Sequence, residues 1–181
     1  MVMRYGITNC SLGLLLAGWS ENGLCAVELA DTEEQLLTLL RAHFPRHSFE
    51  PAGSEDSEML NQISRFIDDS GNAPEFALAP EGTVFQQKVW IALQSIPGGK
   101  TVSYSELAQQ IGMPEATRAV ANACGANKLA VVIPCHRVIR ADGGLGGYRW
   151  GSVRKKALLS REAKQAEILN TNPRRRHEHS G

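Results

Sequence analysis

The stretch SYSELAQQIGMPEATRAVANACGANKLAVVIPCHRV, residues 103–138, decides how this chain is read. Ser103 stands three residues ahead of Glu106, a capping-box pair in which each side chain satisfies an orphan amide of the first helical turn. Leu107, Ala108 and Ile111 then form the apolar side of a short helix. Gly112 suits its C′ position, where the backbone turns left-handed. Pro114 suits the first position of a second helix, about Glu115 to Ala126, because that position has no amide to lose. Two helices joined by Gly112, Met113 and Pro114 make a helix-turn-helix pattern. Ala130 to Ile133 reads as a short buried strand stopped by Pro134, with Val138 and Ile139 resuming it.

Working outward, Thr83 and Gln86 form another capping box. Phe85, Val89, Leu93 and Ile96 continue that helix until Pro97-Gly98-Gly99. Downstream, Asp142-Gly143-Gly144 and Gly146-Gly147 predict a flexible loop. A last amphipathic helix is expected from about Ser152 to Ala166, with Val153, Ala157 and Leu158 inward. The N-terminal part reads as strands followed by helices. Leu12–Ala17 and Leu24–Leu29 flank a Glu21-Asn22-Gly23 turn and predict a hairpin. Asp31 with Glu34 predicts the start of a helix ending before Pro45. A further helix is expected over about Ser57–Asp69, and Ser70 to Gly82, with two glycines and two prolines, is the linker candidate.

The chain has 181 residues, with 19 Lys and Arg against 19 Asp and Glu. The balance conceals a polarity. Residues 1–81 carry four basic and thirteen acidic side chains, a net of −9, and residues 82–181 carry fifteen and six, a net of +9. Such asymmetry points to nucleic-acid or membrane contact. An apolar fraction of 43% and a charged fraction of 21% exclude global disorder, collagen and coiled coil. No apolar run approaches a membrane span. Arg4 followed by Leu12–Ala17 is too short for a signal peptide and lacks a clean cleavage site. Cys10, Cys25, Cys124 and Cys135 are therefore expected as thiols in a reducing compartment. They form no CxxC pair, and Cys10 and Cys25 have only His43 and His47 nearby, so no metal and no cofactor are expected.

Ile133-Pro134-Cys135-His136-Arg137-Val138 is the sharpest chemical feature. A thiol attacks only as thiolate, which a base or a cation nearby promotes. His136 and Arg137 adjoin Cys135, yet neighbours on a strand point to opposite faces. The residues alone leave two readings open, a buried structural cysteine and a reactive thiol.

PCHRV following NKLAVVI resembles the active-site signature of the O6-alkylguanine-DNA alkyltransferases, the methylated-DNA–protein-cysteine methyltransferases. FQQKVWIALQSIPGGKTVSYSELAQQIG (85–112), RAVANACGANKLAVVIPCHRVI (118–139), GYRWG (147–151) and LLSREA (158–163) match that family in order and spacing. The likeness is strong over residues 82–163 and weaker over 1–80. It is greatest to the C-terminal domain of the bacterial adaptive-response protein.

The resemblance implies an α/β (α+β) fold. A ribonuclease-H-like sheet-and-helix domain over 1–80 would precede a winged helix-turn-helix catalytic domain over 81–166, with 167–181 a disordered tail that includes Arg174, Arg175 and Arg176. It implies DNA repair by irreversible transfer of the alkyl group from O6-alkylguanine, and from O4-alkylthymine, to Cys135. His136 would be the general base acting through a water, Glu162 would orient it, and Tyr104 would protonate the leaving base. Arg118 would enter the stack in place of the flipped nucleotide. Ser103, Ala116, Thr117, Ala119, Ala123, Asn127 and Arg137 would meet DNA, with Asn127 also a hinge between helix and active-site segment. Val138, Gly146, Gly147 and Tyr148 would line the base pocket. Lys88, Lys100, Lys128, Arg140 and Arg149 are candidate phosphate contacts. The expected partner is double-stranded DNA containing O6-alkylguanine, with no membrane, for a monomer in the bacterial cytoplasm at the nucleoid. Two rival readings are a winged-helix regulator with a structural Cys135, and a Cys-His hydrolase, which would need an oxyanion hole. An alkyltransferase-like protein without the acceptor thiol loses its basis because Cys135 is present.

Overall fold

Glycines and short apolar runs shape the N-terminal half. In the computed structural model, which describes residues 2–69 and 76–171, three strands follow one another: β1 (Val2–Cys10), β2 (Gly13–Ser20) and β3 (Gly23–Ala30). Gly13 and Gly23 have φ of 118° and 137°, dihedrals that residues with a Cβ avoid, and they open the two strands that follow tight turns. The expected hairpin is β2 and β3. The first strand was not legible, because polar Arg4, Thr8 and Asn9 interrupt its apolar pattern.

Helix α1 (Glu33–His43) packs on β3 and β2. Its cap is Thr32 with Gln35, not Asp31 with Glu34: the Thr32 hydroxyl accepts from the Gln35 amide at 3.2 Å. The chain crosses over to β4 (Ser48–Pro51), which pairs parallel with β1, so the sheet order is β3-β2-β1-β4. Helix α2 (Ser57–Asp69) lies over β1, as its apolar Ile63 and Ile67 require.

The second half contains α3 (Val84–Gln94), β5 (Val102–Ser103), α4 (Tyr104–Gln110), α5 (Thr117–Gly125), β6 (Val138–Ile139) and α6 (Ser152–Thr171). The boxes at Thr83/Gln86 and Ser103/Glu106 are both formed. Gly112 has φ of 75° just after α4, as its C′ placement predicts. Three expectations are corrected. Pro114 lies ahead of α5, which starts at Thr117 with Ala116 as its cap, because residues 113–116 form a separate turn closed by Ala116 N–H to Met113 C=O. Ala130–Ile133 is a tight turn, not a strand. Val131 sits at φ of 66°, left-handed space that a β-branched residue avoids. Val153 is 81% exposed and Ala157 is exposed, whereas Lys155, Leu158 and Glu162 face inward.

The edge of β3 ties the halves together. Leu24 exchanges backbone hydrogen bonds with Ala77 and Ala79, and Val27 with Lys128 and Ala130, all between 2.8 and 3.1 Å. An open strand edge is thereby paired. The described part of the linker candidate, 76–82, is thus pinned to the sheet, with Phe76 edge-on to Phe66; 70–75 lie outside the described residues. One apolar cluster runs from Leu15 and Val27 through Trp90 and Val120 to Leu158. Helix α6 continues five residues beyond Ala166, so 167–171 are helical and not tail; 172–181, with the three arginines, lie outside the described residues.

Candidate active site

Sharp turns place Cys135. After Leu129 pairs with β3, the turn at 130–132 reverses the chain, and Pro134 caps a 3₁₀ turn over Cys135–Arg137. A 3₁₀ turn removes the opposite-face objection raised by a strand, because its residues fan around the axis instead of alternating. Cys135 is 7% exposed and forms part of the wall of a cavity of about 700 Å³. Tyr104, Ala121, Asn122, Gly146, Gly147 and Tyr148 form other parts of the wall. Gly146 is obligatory there: at φ of 75°, a Cβ would come within 2.9 Å of the Tyr104 hydroxyl. Val138 is buried in β6 beneath this wall and is not on it.

His136 and Glu162 meet in the core. Both are almost fully buried. Imidazole Nε2 lies 3.0 and 3.1 Å from the two Glu162 oxygens. Arg137 donates to the same carboxylate through Nε at 3.0 Å and Nη2 at 2.6 Å, and to the Ile96 carbonyl through Nη1. Two donors hold the Glu162 carboxyl down at about 2, against the opposing effect of burial. Burial pushes the imidazole of His136 below its ordinary value, and Glu162 opposes that shift. The ring therefore rests neutral with its proton on Nε2, since Glu162 can only accept. Nδ1 is then a basic lone pair, and it has no hydrogen-bond partner among the described residues.

Asn127 touches the thiol, and Lys155 acts on it through its charge. The Asn127 amide donates to Ile133 O at 2.8 Å and to Cys135 Sγ at 3.3 Å, and its oxygen accepts from the Leu129 amide at 2.9 Å. It ties the end of α5 to the segment bearing the cysteine. Lys155 is completely buried and donates from Nζ to Val138 O at 2.7 Å and Gly147 O at 3.2 Å. Burial raises the Cys135 thiol, and Asn127, Lys155 and Arg149 pull it back. The thiol rests protonated beside groups that favour its anion. Burial also raises Tyr104, which keeps its proton. The Tyr148 hydroxyl is enclosed beside the Val131 backbone without a well-formed hydrogen bond, its ring edge-on to His136 and Trp150.

The residues expected at DNA divide. Arg118 and Ala119 are exposed on α5, and Ala116 and Thr117 are half-buried at its start. Ala123 instead faces the core, 2% exposed, with its carbonyl accepting from Trp90 Nε1. Ser103 is buried and its hydroxyl caps α4. Arg137 serves Glu162, not the surface. Lys88 and Lys100 are exposed, Arg140 pairs with Asp142, Lys128 stands 4.8 Å over the Phe44 ring, and Arg149 donates to the Gly125 carbonyl. Lys155 escaped the sequence reading, which placed it among solvated charges of the last helix. Its i+3 and i+7 spacing to Leu158 and Glu162 was the available signal, and Lys is so rarely buried that spacing alone could not outweigh it.

Residues 84–164 match the family model for the 6-O-methylguanine DNA methyltransferase DNA-binding domain. The methylated-DNA–protein-cysteine methyltransferase of Methanosarcina acetivorans is 37% identical over 164 residues, 88% of this chain and 98% of that protein. The chain belongs to the methylated-DNA–protein-cysteine methyltransferase family. The bifunctional transcriptional activator/DNA repair enzyme Ada of Escherichia coli is 46% identical over 167 residues. That match takes in 92% of this chain, which spans about half, 47%, of the Escherichia coli protein. The crystal structure of Mycobacterium tuberculosis OGT in complex with DNA superposes with a TM-score of 0.72 at 34% identity, over 90% of this chain and 94% of that one. Family membership accounts for the mixed α/β fold, with its sheet and helices. Among the described residues no helix is long and apolar enough to cross a membrane.

Proposed function

We propose that this chain repairs DNA by moving the alkyl group of O6-alkylguanine, and of O4-alkylthymine, onto Cys135 in a single turnover. The observation that carries the reading is the thiol in the wall of a cavity roomy enough to admit a nucleobase, backed by a buried, neutral His136 whose Nε2 is anchored on Glu162. A regulator needs no such buried set, and a hydrolase would need oxyanion donors facing the thiol.

In the proposed reaction, the Cys135 proton passes through a water to Nδ1 of His136. Imidazolium forms next to Glu162, and thiolate forms next to Asn127 within the field of the Lys155 charge. The proton transfer therefore separates charge where each product already has its partner. Sulfur attacks the alkyl carbon, the carbon–O6 bond breaks, and the Tyr104 hydroxyl supplies a proton to the departing guanine. The imidazolium then releases the thiol proton to water and Tyr104 regains one from water, so the net movement is one proton from thiol to guanine. The S–C bond is a thioether with no leaving group, so the protein is consumed.

The base reaches this cavity only if flipped from the stack, at a cost of a few kcal/mol. Arg118, exposed on α5, fills the gap. Helices α4 and α5 act as a helix-turn-helix with β5, β6 and the 140–147 loop as the wing, in a catalytic domain of 81–166. Residues 1–80 form a ribonuclease-H-like domain that buttresses it. The chain acts as a monomer on double-stranded DNA in the bacterial cytoplasm.

The test is intact-protein mass after incubation with a duplex carrying one O6-methylguanine. One added methyl per chain, mapped to Cys135 and absent in Cys135→Ala, is expected. A folded wild-type protein that gains none refutes the transfer.

A further inference from the structure

Glu28 lies in β3, far from Cys135 in sequence and fully buried. Its carboxylate faces His43, the last residue of α1, with Nδ1 at 3.0 Å from Oε1 and 2.9 Å from Oε2. The other ring nitrogen, Nε2, meets Nη1 of Arg149. A guanidinium can only donate, so Nε2 accepts and Nδ1 carries the proton toward Glu28. The imidazole thus bridges the Glu28 carboxylate to the Arg149 guanidinium, one ring nitrogen on each. Arg149 also donates to Gly125 O, from Nε at 3.0 Å and Nη2 at 2.5 Å, at the last residue of α5, and one N–H on each of its terminal nitrogens is left over. The same side chain lines the cavity with Cys135 and Tyr104.

We propose that Glu28 and His43 are positioning residues for the transfer site, holding Arg149 across the end of α5 so that its cation is set at the cavity rim. This rests on the DNA-repair reading above. The rim then meets a phosphate of the flipped nucleotide without first having to order a long, flexible side chain. The carboxyl end of α5, where backbone carbonyls are unsatisfied, is pinned by the same group. The N-terminal half thereby acts on the site through Glu28 and His43, neither of which touches substrate.

The test uses the full chain with His43→Ala, Arg149→Ala and the double variant. Binding of an O6-methylguanine duplex is read by fluorescence anisotropy, and transfer is read as a single-turnover rate at saturating DNA. Each single variant should weaken duplex binding on the order of tenfold, with the double no worse than Arg149→Ala, the non-additivity expected of groups acting as a unit. His43→Gln, whose amide can donate to Glu28 and accept from Arg149, should recover most of the loss. Two results would overturn the proposal: effects that multiply in the double variant, or a lowered melting temperature for His43→Ala with duplex affinity intact. Failure of the repair reading is separate, since it shows as wild-type protein without alkyl on Cys135 while the binding comparison still reports the coupling.

Discussion

Imidazole Nε2 of His136 sits between the two carboxylate oxygens of Glu162, 26 residues further along the chain, and both groups are sealed from solvent. The pair converts a surface-type base into one with a fixed tautomer. Arg137 neutralises the Glu162 charge while His136 is neutral, so the cluster acquires net charge only during proton transfer.

This pair should dominate acid sensitivity. The Glu162 carboxyl is depressed from 4.5 to about 2, so its contribution is complete above the unfolded value and is lost as pH falls from about 4.5 toward 2. The shift corresponds to an order of 3 kcal/mol. His136, lowered by burial, adds a loss that begins as pH falls below its ordinary 6.5, because the unfolded chain takes the proton first. Urea unfolding of wild type against Glu162→Gln across this range should show the variant less stable at neutrality and the two converging in acid.

The transfer rate should fall only on an acid limb lying below pH 6.5, where His136 becomes protonated, and should stay level up to the ordinary thiol value of 9.0, since Cys135 is raised above it. Single-turnover rates across buffers check this. A rate that climbs in step with ionisation of a free thiol would contradict a general base at His136.

Asn127→Ala removes four hydrogen bonds within the buried turn. A loss of about 2–4 kcal/mol is expected from unsatisfied backbone groups, and the thiol should move further up because the amide donor is gone. Thermal unfolding and thiolate absorbance against pH measure the two effects.

Lys155→Met keeps the aliphatic stem and removes the ammonium that bridges Val138 and Gly147. Two carbonyls lose their donor, at about 1–3 kcal/mol each, and the 140–147 loop should loosen. Amide exchange over residues 138–148 should rise, and alkyl transfer should slow beyond what the stability loss explains.

Tyr104→Phe should slow transfer by about 10²-fold with duplex affinity nearly intact, the size ordinary for a lost general acid. Arg118→Ala should slow repair in duplex much more than reaction with the free alkylated base. Equal losses on both substrates would contradict its role in the stack.

Local signals decided what the sequence could decide. Thr83 with Gln86, Ser103 with Glu106 and Gly112 act within one or two turns of chain, so capping chemistry alone located α3 and α4. The PCHRV string and its spacing to Glu162 pointed by likeness to Cys135, His136 and Glu162. Charge counting showed a +9 half but not its use. Arg137, Arg149, Arg154, Lys155 and Arg161 are bonded inside the molecule, Arg154 to Leu12 O and Asp31 and Arg161 to Ile67 O and Asp68 O.

Tertiary contacts decided the rest. Ala130–Ile133 has the apolar content of a strand, yet the edge of β3 captures only residues 128–130, and the chain must then reverse to bring Cys135 to the cavity. Burial of Lys155 depends on two carbonyls, Val138 O in β6 and Gly147 O in the loop that follows it. The link from Glu28 through His43 to Arg149 spans both halves of the chain. Such pairings depend on which surfaces meet when the halves pack, and periodicity and capping carry no information about residues that distant in sequence.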